Sequence, residues 1–331
     1  MTTPLVTLRD VEAAQAVIAG HVTRTPIVPS PSLSQRCGGD VHLKLESLQP
    51  TGAFKLRGAT NRLMALTDEE RRRGVVTMST GNHGRGVAFA AKRLGVPAVV
   101  CMSSLVPRTK VDAIRDLGAD ARIVGDSQDE AGVEAERCVA EDGMVMVSPF
   151  DDPAVIAGQG TIGLELLEDL PAVDLVLVPL SGGGLIGGIA VAVKALRPQA
   201  RVVGVTMERG AAMYESLKAG HPVPVKEEPT LADSLGGGIG LDNRYTFALC
   251  RTLLDDVMLV SEEEIAEAMR HTFWQDRLVA EGGAVVGQAA LLTGKVAAAG
   301  QTVACVLSGR NVDMHQFVDI VTRPASGGAP S

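Results

Sequence analysis

The chain has 331 residues, a length typical of two lobes or of one large α/β domain. Hydrophobic residues make up 46% of it and charged residues 21%, which is an ordinary globular composition and excludes a disordered chain. The net charge of −8 argues against a nucleic-acid-binding surface. Because aromatic residues are only 3%, the core must be built from Val, Ile, Leu and Ala, as in buried parallel strands.

The sequence indicates neither a membrane protein nor an exported one. No apolar run approaches the roughly 20 residues that span a bilayer. The opening residues, MTTPLVTLRD, contain Asp10 and lack the apolar region of a signal peptide. The five cysteines are odd in number and form no close pairs, so they do not make a disulfide framework. We therefore expect a cytoplasmic protein, with Cys101 and Cys305 as buried thiols.

Short apolar runs alternate with longer helical patterns along the chain. The predicted strands are 41–46, 74–79, 97–103, 120–125, 144–148, 174–180, 201–207, 256–260 and 302–308. The predicted helices are 8–20, 55–66, 83–94, 107–117, 127–142, 154–169, 184–196, 244–254, 261–276 and 284–298. This alternation is typical of an α/β fold in which parallel sheets are flanked by helices.

The number of predicted strands indicates two lobes rather than a single sheet. Residues 74–148 are expected to form the smaller domain, and residues 1–73 together with 149–322 the larger one. A ligand should bind at the carboxyl ends of the strands, in the crevice between the lobes. The tail 323–331 lacks any pattern and is expected to be disordered.

A glycine-rich loop follows the apolar run Val173–Leu180 and precedes a helical pattern. Residues 181–188 read SGGGLIGG. Glycines let backbone N–H groups approach a phosphate, and a helix N-terminus favours negative charge, so this order of elements is suited to binding an anion. The alternative is that these glycines serve only a tight turn and close packing, and bind no phosphate.

The same loop satisfies the dinucleotide fingerprint GxGxxG through Gly182, Gly184 and Gly187. Glu208 lies about twenty residues further on, at the end of the next predicted strand, where that fingerprint places its acid. On this segment alone, an NAD-dependent dehydrogenase is therefore an alternative to a site for a single phosphate.

Lys55 lies in a segment that joins a strand to a helix. Pro50 and Gly52 shape the turn, and Lys55 then falls in the first helical turn. A cation there opposes the helix dipole, and the neighbouring Phe54 is apolar, so we expect a lowered pKa for Lys55. A neutral amine is what imine formation with an aldehyde requires. The alternative is a solvated surface cation.

The segment Pro50–Gly58, PTGAFKLRG, resembles the lysine motif of fold-type II enzymes that depend on pyridoxal 5'-phosphate (PLP). This group includes threonine dehydratase, serine dehydratase and serine racemase, and its architecture is that of the tryptophan synthase β chain. The resemblance implies that Lys55 binds the PLP aldehyde covalently and that Phe54 packs near the ring.

Residues 79–83, STGNH, resemble the substrate-carboxylate loop of the same family. The resemblance implies substrate-binding roles for Ser79, Thr80, Gly81, Asn82 and His83. It also places Asn82 beside the 3′ oxygen of the PLP ring. A loop between a strand and a helix N-terminus suits a carboxylate on physical grounds as well.

Two further segments follow in the family's order. The glycine loop matches the family's phosphate loop, which implies cofactor contacts from Gly182, Gly183, Gly184 and Leu185. Ser308 follows the strand-like run Val303–Leu307 and matches the residue that hydrogen-bonds the pyridine nitrogen. The segment Pro153–Glu165 also fits the group.

The resemblance implies a PLP-dependent lyase that eliminates water from a 3-hydroxy amino acid and yields a 2-oxo acid and ammonia. Lys55, released from PLP by the substrate amine, would be the base for the Cα proton. A neutral hydroxyl such as Ser308 stabilises a protonated pyridine nitrogen less than a carboxylate would, which favours prompt loss of the β-substituent. Thr80, the second catalytic candidate, stands where racemases of the group carry a serine, so elimination is favoured over racemisation. β-Replacement is another chemistry on this fold.

We expect no metal site and a homo-oligomer. Racemase-like members bind a divalent cation through acidic residues after a strand, and Glu208 matches one of these, but the stretch Arg209–Met213 lacks the second carboxylate. The group commonly forms homodimers or homotetramers. The implied partner is a small-molecule amino acid.

Three segments depart from the ordinary threonine dehydratase pattern, namely 207–217, 232–247 and 308–314. They resemble the hydroxyectoine-utilisation dehydratases of bacterial ectoine catabolism. That resemblance implies a substrate with an extra polar group, such as a 3-hydroxy-2,4-diaminobutyrate derivative, with Arg310 and the loop Gly236–Gly238 as the residues that recognise it. The alternative is an L-threonine or L-serine dehydratase or a serine racemase, with simpler substrates.

Three residues stay open between a functional and a structural role. His83 either contacts the substrate or only caps and packs its loop. Arg137 either reaches a substrate carboxylate or lies on a solvated helix face. Glu281, in EGGAVVG, either faces the cofactor or stabilises a helix dipole.

Overall fold

A computed structural model describes residues 6–79, 81–106 and 108–323 of the chain. The predictions for Thr80 and for the tail from residue 324 onward therefore lie outside the described residues. No helix of the described part is long and apolar enough to span a membrane. Cys101 and Cys305 are buried free thiols, as expected from the sequence.

Strands and α-helices alternate through the described chain. The strands are Ile27–Pro29 (β1), Asp40–Leu45 (β2), Val75–Thr77 (β3), Ala98–Met102 (β4), Asp120–Ile123 (β5), Val145–Met146 (β6), Leu175–Pro179 (β7), Arg201–Met207 (β8), Asp256–Val260 (β9) and Thr302–Leu307 (β10). The helices are Leu8–Ile18 (α1), Pro31–Cys37 (α2), Lys55–Met64 (α3), Asp68–Arg73 (α4), Asn82–Leu94 (α5), Arg108–Asp116 (α6), Gln128–Asp142 (α7), Pro153–Asp169 (α8), Gly184–Leu196 (α9), Ala212–Ala219 (α10), Thr246–Leu253 (α11), Glu262–Trp274 (α12), Val286–Leu292 (α13) and Met314–Thr322 (α14).

The larger sheet has six strands in the order β1-β2-β10-β7-β8-β9. Neighbouring strands are parallel, except that β1 pairs antiparallel with β2. Every residue of β7 is buried, because apolar side chains pack against both faces of the sheet. Since β10 lies between β2 and β7, the carboxyl ends of these three strands meet at one edge.

The smaller sheet has four parallel strands in the order β5-β4-β3-β6. All four come from the part of the chain between Val75 and Met146. Val75 of β3 pairs with Val145 of β6, and Val145 N–H donates a 3.0 Å hydrogen bond to Gly74 O. The chain therefore enters and leaves this sheet at adjacent points.

Helices α3 and α5 bring the two sheets together, since α3 comes after β2 and α5 comes after β3. A Cβ added at Gly86 of α5 would lie 3.2 Å from Leu56 N at the start of α3, so the two helices approach closely there. This approach brings the first turns of the two helices, which begin at Lys55 and Asn82, next to each other.

One predicted helix, 284–298, is wrong in its extent. The structure has a short 3-10 helix at Gly282–Ala284, followed by α13, which ends at Leu292. Gly294 has a φ of +70°, a left-handed conformation that stops a helix. The longer apolar pattern in the sequence comes instead from residues that enter the core outside a helix, including Val296 and Ala298.

Candidate active site

Lys55 is the first residue of α3 and follows a tight turn. Gly52 in this turn has a φ of +78°, and a Cβ added there would lie 2.5 Å from Asn311 Oδ1, so the position requires glycine. Lys55 Nζ donates a 2.6 Å hydrogen bond to Pro149 O. Burial lowers the pKa of Lys55 to about 8, because apolar surroundings disfavour the ammonium. This agrees with the lowered pKa expected from the sequence.

The turn before Lys55 pairs with the chain just after β10. Phe54 N–H donates a 3.0 Å hydrogen bond to Ser308 O, and Ala53 and Gly309 form an antiparallel bridge. The Phe54 ring centroid lies 5.2 Å from Lys55 Nζ, and Ser308 is buried. The structure thus places Lys55, Phe54 and Ser308 together.

The glycine loop connects β7 to α9. Gly183 has a φ of +89°, and α9 begins at Gly184. A Cβ added at Gly182 would lie 2.3 Å from the Phe150 ring, and one at Gly184 would lie 2.9 Å from the Phe150 backbone, so side chains do not fit there. The first four N–H groups of a helix have no acceptor within it, and here Leu185 belongs to that first turn. The loop therefore has the backbone donors and the close approach that a phosphate requires.

The segment predicted to bind the substrate carboxylate leads into the N-terminus of α5. Ser79 and Gly81 flank Thr80, which is not described, and Asn82 is the first residue of the helix. His83 is buried, and its Nε2 lies 2.9 Å from Val147 O. Burial, with a contribution from the charge of Lys55, lowers the pKa of His83 to about 3. The ring is therefore neutral and donates to the Val147 carbonyl, which supports the structural role for His83.

Glu281 lies in the wall of this site rather than only at a helix end. It is 3% exposed, and its Oε1 accepts a 2.8 Å hydrogen bond from Asn82 Nδ2. Its Oε2 accepts from Asn311 N–H at 3.1 Å, and Asn311 Nδ2 donates to Asn82 Oδ1 at 2.6 Å. Burial, followed by the nearby charge of Asp233, raises the pKa of Glu281 to about 7. Sequence reasoning assigned no role to Asn311, although the residue lies within the recognised segment SGRNVDM.

Three other residues singled out in the sequence, Arg310, Arg137 and Glu208, have different surroundings. Arg310 is exposed, and its backbone N–H donates to Gly52 O at 2.9 Å, so it adjoins the turn before Lys55. Arg137 lies on α7 and forms ion pairs with acidic residues of its own helix, which supports its structural reading. Glu208 follows β8, and its Oε1 lies 3.7 Å from Lys295 Nζ.

The segment after β6 supplies contacts that sequence reasoning missed. Pro149 contributes the carbonyl that binds Lys55, and Phe150 packs on the glycine loop. A carbonyl is common to every residue and carries no signal in the sequence. The apolar Phe150 next to a glycine-rich loop could not be paired with it across the chain without the fold.

The described residues fit PLP. Lys55 would hold its aldehyde carbon, the glycine loop its phosphate, and Ser308 its ring nitrogen, with Asn82 beside the ring. When bound, the cofactor supplies an electron-withdrawing ring that weakens the bonds to Cα of an attached amino acid.

A comparison with protein families decides the assignment. The model described as "Pyridoxal-phosphate dependent enzyme" matches residues 18–309, which is most of the chain. The chain belongs to this family. The predictions of a fold-type II architecture, of PLP as cofactor and of a lyase related to threonine dehydratases are confirmed. The NAD-dependent dehydrogenase therefore no longer accounts for the glycine loop.

Three similar proteins illustrate the relationship. A "Putative threonine dehydratase" of Sinorhizobium fredii is 58% identical over 314 residues, which is 95% of either chain. An "L-threonine ammonia-lyase" of Thermotoga maritima is 44% identical over 319 residues, which cover 96% of this chain and 79% of the relative. The structure of maize serine racemase superposes with a TM-score of 0.90 at 34% identity, covering 96% of this chain and 97% of the other.

Proposed function

We propose that this protein is a PLP-dependent dehydratase that converts L-threonine, and L-serine with it, into the 2-oxo acid and ammonia. The observation that supports this most directly is Lys55, buried at the start of α3 with a pKa near 8 and 2.6 Å from Pro149 O. Relatives described as L-threonine ammonia-lyase and L-threonine dehydratase support the substrate. The hydroxyectoine-type substrate, the leading expectation from the sequence, becomes the second candidate.

Lys55 is the proposed base. A pKa near 8 leaves about a tenth of the side chain neutral at pH 7, far more than for an ordinary lysine, so that its amine can take the Cα proton. The Pro149 carbonyl orients the amine, because an acceptor at 2.6 Å fixes one direction of the Nζ group. The loop at the N-terminus of α5 would bind the substrate carboxylate through backbone N–H groups and the helix dipole. Ser308, a neutral hydroxyl, would leave the ring a moderate electron sink and so favour elimination.

The test is the purified protein with L-threonine. We expect release of equal amounts of 2-oxobutyrate and ammonia, and a visible absorption band from the bound cofactor that borohydride abolishes. Lys55→Ala should lack both the band and the turnover. Lys92→Ala, which changes an exposed lysine on α5, is the matched control and should keep both. A wild-type protein without a visible band that PLP cannot restore would refute the proposal.

A hydroxylated diamino acid is the second candidate substrate. The supporting observation is the position of Arg310, whose backbone adjoins the turn before Lys55 while its side chain is exposed. If Arg310 and the loop Gly236–Gly238 recognise an extra polar group, Arg310→Gly should shift relative turnover towards threonine and serine. No shift in the ratio of kcat/KM values for the two substrate types would reject this candidate.

Incubation with L-serine distinguishes racemisation from dehydration, because the two reactions give different products. Thr80 offers a hydroxyl where racemases of the group carry a serine, and we propose that elimination dominates. Chiral chromatography of L-serine incubations should therefore show pyruvate in excess of D-serine. An excess of D-serine over pyruvate would show that racemisation, and not elimination, is the dominant reaction.

The proposal extends to the domains of the chain, to its oligomeric state and to its location in the cell. We propose a smaller domain at 74–148 and a larger one from 1–73 and 149–322, supported by the two separate sheets. We also propose a cytoplasmic homodimer or homotetramer. Light scattering of the eluting protein would reject the oligomer if it gave the monomer mass.

A further inference from the structure

Asp151 makes an unusual set of hydrogen bonds for a residue between two structural units. Its Oδ2 accepts from Arg244 N–H at 2.7 Å, and its Oδ1 accepts from Tyr245 N–H and Thr246 N–H, both at 2.9 Å. These N–H groups lead into α11, which begins at Thr246. Asp151 thus satisfies backbone donors at the start of a helix that lies more than ninety residues later in the chain.

Helix α11 supports the back of the glycine loop. A Cβ added at Gly183 would lie 3.0 Å from Thr246 Cβ and 3.0 Å from Cys250 Sγ, so the first turn of α11 lies directly against this glycine. Asn243 reinforces the arrangement, since its Nδ2 donates to Thr246 Oγ1 at 2.8 Å. The position of α11 therefore limits where the backbone of Gly183 can lie.

The two residues before Asp151 contact the cofactor site from the other side. Pro149 O accepts the hydrogen bond of Lys55 Nζ. The Phe150 ring lies where side chains at Gly182 would lie. The strap 149–151, as we call these three residues, thus contacts the lysine, the front of the glycine loop and, through α11, its back.

We propose that Asp151 is a positioning residue that holds the strap and α11 on opposite sides of the glycine loop, and so fixes the loop for the phosphate of the cofactor. A carboxylate at the start of a helix is stabilised by the N–H groups and the positive end of the dipole. Without it, the strap and the first turn of α11 can move apart, and the backbone donors of the loop lose their fixed direction. Asp151 would act through its neighbours, because its carboxylate oxygens accept hydrogen bonds from the backbone at the start of α11.

The test compares two ligands and two variants. The ligands are PLP and pyridoxal, which has the same aldehyde and ring but no phosphate, each titrated into apoprotein. The variants are Asp151→Asn and Asp152→Asn. Asp152 is the matched control, because it also accepts two N–H groups at a helix start, those of Ala154 and Val155, but it caps α8 rather than α11.

We expect Asp151→Asn, which removes the charge and the acceptor of Arg244 N–H, to raise the Kd for PLP roughly ten- to a hundredfold, the affinity cost of losing one charge-assisted hydrogen bond. Its Kd for pyridoxal should stay within about twofold of wild type, well below the tenfold change that 1.4 kcal/mol produces. Asp152→Asn should lower the apoprotein's thermal midpoint, because it removes the negative charge at the start of α8 and the ion pair with Arg62, and it should leave both Kd values unchanged. If Asp151→Asn does not yield soluble protein, Asp151→Glu keeps the charge but displaces the carboxylate, and the same selective loss of PLP affinity is expected.

Two results would overturn the assignment of Asp151: an unchanged Kd for PLP, or equal losses for PLP and pyridoxal. The inference rests on the proposed phosphate site and not on the proposed substrate. The failures can be told apart, because a wild-type protein that binds PLP no better than pyridoxal would refute the phosphate site itself. A wild-type preference for PLP that Asp151→Asn retains would remove only the role of Asp151.

Discussion

The side-chain amide of Asn82 donates a 2.8 Å hydrogen bond to Glu281 Oε1, although the two residues are 199 positions apart in the chain. Asn82 starts α5 beside the smaller sheet, whereas Glu281 precedes α13 beside the larger one. Asn311 completes the group, because it donates to both residues and also to Thr51 O. These contacts join the proposed substrate loop to the turn that carries Lys55.

The first prediction concerns the pH dependence of stability from Glu281. Burial and Asp233 raise the pKa of this carboxyl from its ordinary 4.5 to about 7, so the folded chain binds the proton more tightly than the unfolded chain. Its contribution to the free energy of unfolding is therefore present below pH 4.5 and is lost as the pH rises through 7, a change of roughly 3 kcal/mol.

Glu281→Gln removes this titration. Urea unfolding of apoprotein at pH 5 and pH 8 should show the variant gaining stability relative to wild type at the higher pH. The comparison at two pH values serves as its own control. A loss of packing or of hydrogen bonds would change the free energy of unfolding by the same amount at pH 5 and at pH 8. An identical difference at pH 5 and pH 8 would contradict the raised pKa.

The second prediction concerns a buried group of four charges behind the lysine turn. Arg57 donates to Glu46 Oε1 at 2.8 Å and to Glu165 Oε1 at 2.6 Å, and Lys44 donates to Glu165 Oε2 at 2.6 Å. Removing one partner leaves a buried charge unpaired, so Glu165→Gln should lower the free energy of unfolding by about 3–5 kcal/mol.

Glu168→Gln is the control for this group. Glu168 pairs with Arg24, and the side chains are 53% and 47% exposed, so the loss should be below about 1 kcal/mol. Urea denaturation of the apoproteins at one pH measures both. Equal effects of the two substitutions would show that the buried group is not coupled as its geometry indicates.

The third prediction tests the contact between Gly182 and Phe150. An added methyl at Gly182 would lie 2.3 Å from the ring, and overpacking of this kind costs about 1–3 kcal/mol. Gly182→Ala should therefore weaken PLP binding about ten- to a hundredfold. In a Phe150→Ala background the clash is absent, and the same substitution should have a smaller effect.

Gly187→Ala is the control on the same loop. Its Cβ would lie 3.5 Å from Leu249, an ordinary contact, so PLP affinity should be preserved. If the effects of Gly182→Ala and Phe150→Ala simply add, the ring does not limit the loop.

The fourth prediction is that His83 does not titrate in the working range. Because burial lowers its pKa to about 3, the imidazole should remain neutral from pH 5 to pH 8, with the proton on Nε2 facing Val147 O. Nitrogen NMR of histidine-labelled protein reads the tautomer directly. A His83 resonance that moves with a midpoint between pH 5 and pH 8 would contradict this assignment.

The strands of the core could be predicted because their burial is visible in composition. The strand β7 is apolar throughout, since both of its faces are covered. Five of the strands and α-helices of the described chain were not predicted, namely β1, α2, α4, α10 and α14, and two of them show the reason. The strand β1 has only three residues and depends on pairing with β2, and α4, with the sequence DEERRR, has no buried residue and is held by the capping box of Thr67 and Glu70.

In the candidate site, too, residues within short segments could be predicted from the sequence, whereas their distant partners could not. Lys55, the glycine loop, Asn82 and Ser308 lie in short recognisable segments. The partners that hold them are separated by long stretches of chain: Pro149 lies 94 positions from Lys55, and Asn311 lies 229 from Asn82. Such pairings follow from sheet order and helix packing, which no local pattern encodes.

The central place of β10 has a consequence for synthesis on the ribosome. This strand is the last of the described strands to emerge, yet it fills the position between β2 and β7. The smaller sheet has all its strands once Met146 has emerged, whereas the larger sheet cannot close until Leu307 has been added. Until then β2 and β7 present unpaired edges, which are templates for wrong pairing. We therefore expect a nascent chain to need protection from wrong strand pairing from the time β7 has emerged until β10 has been added, and to form the hydrogen bond from Phe54 N–H to Ser308 O only after that.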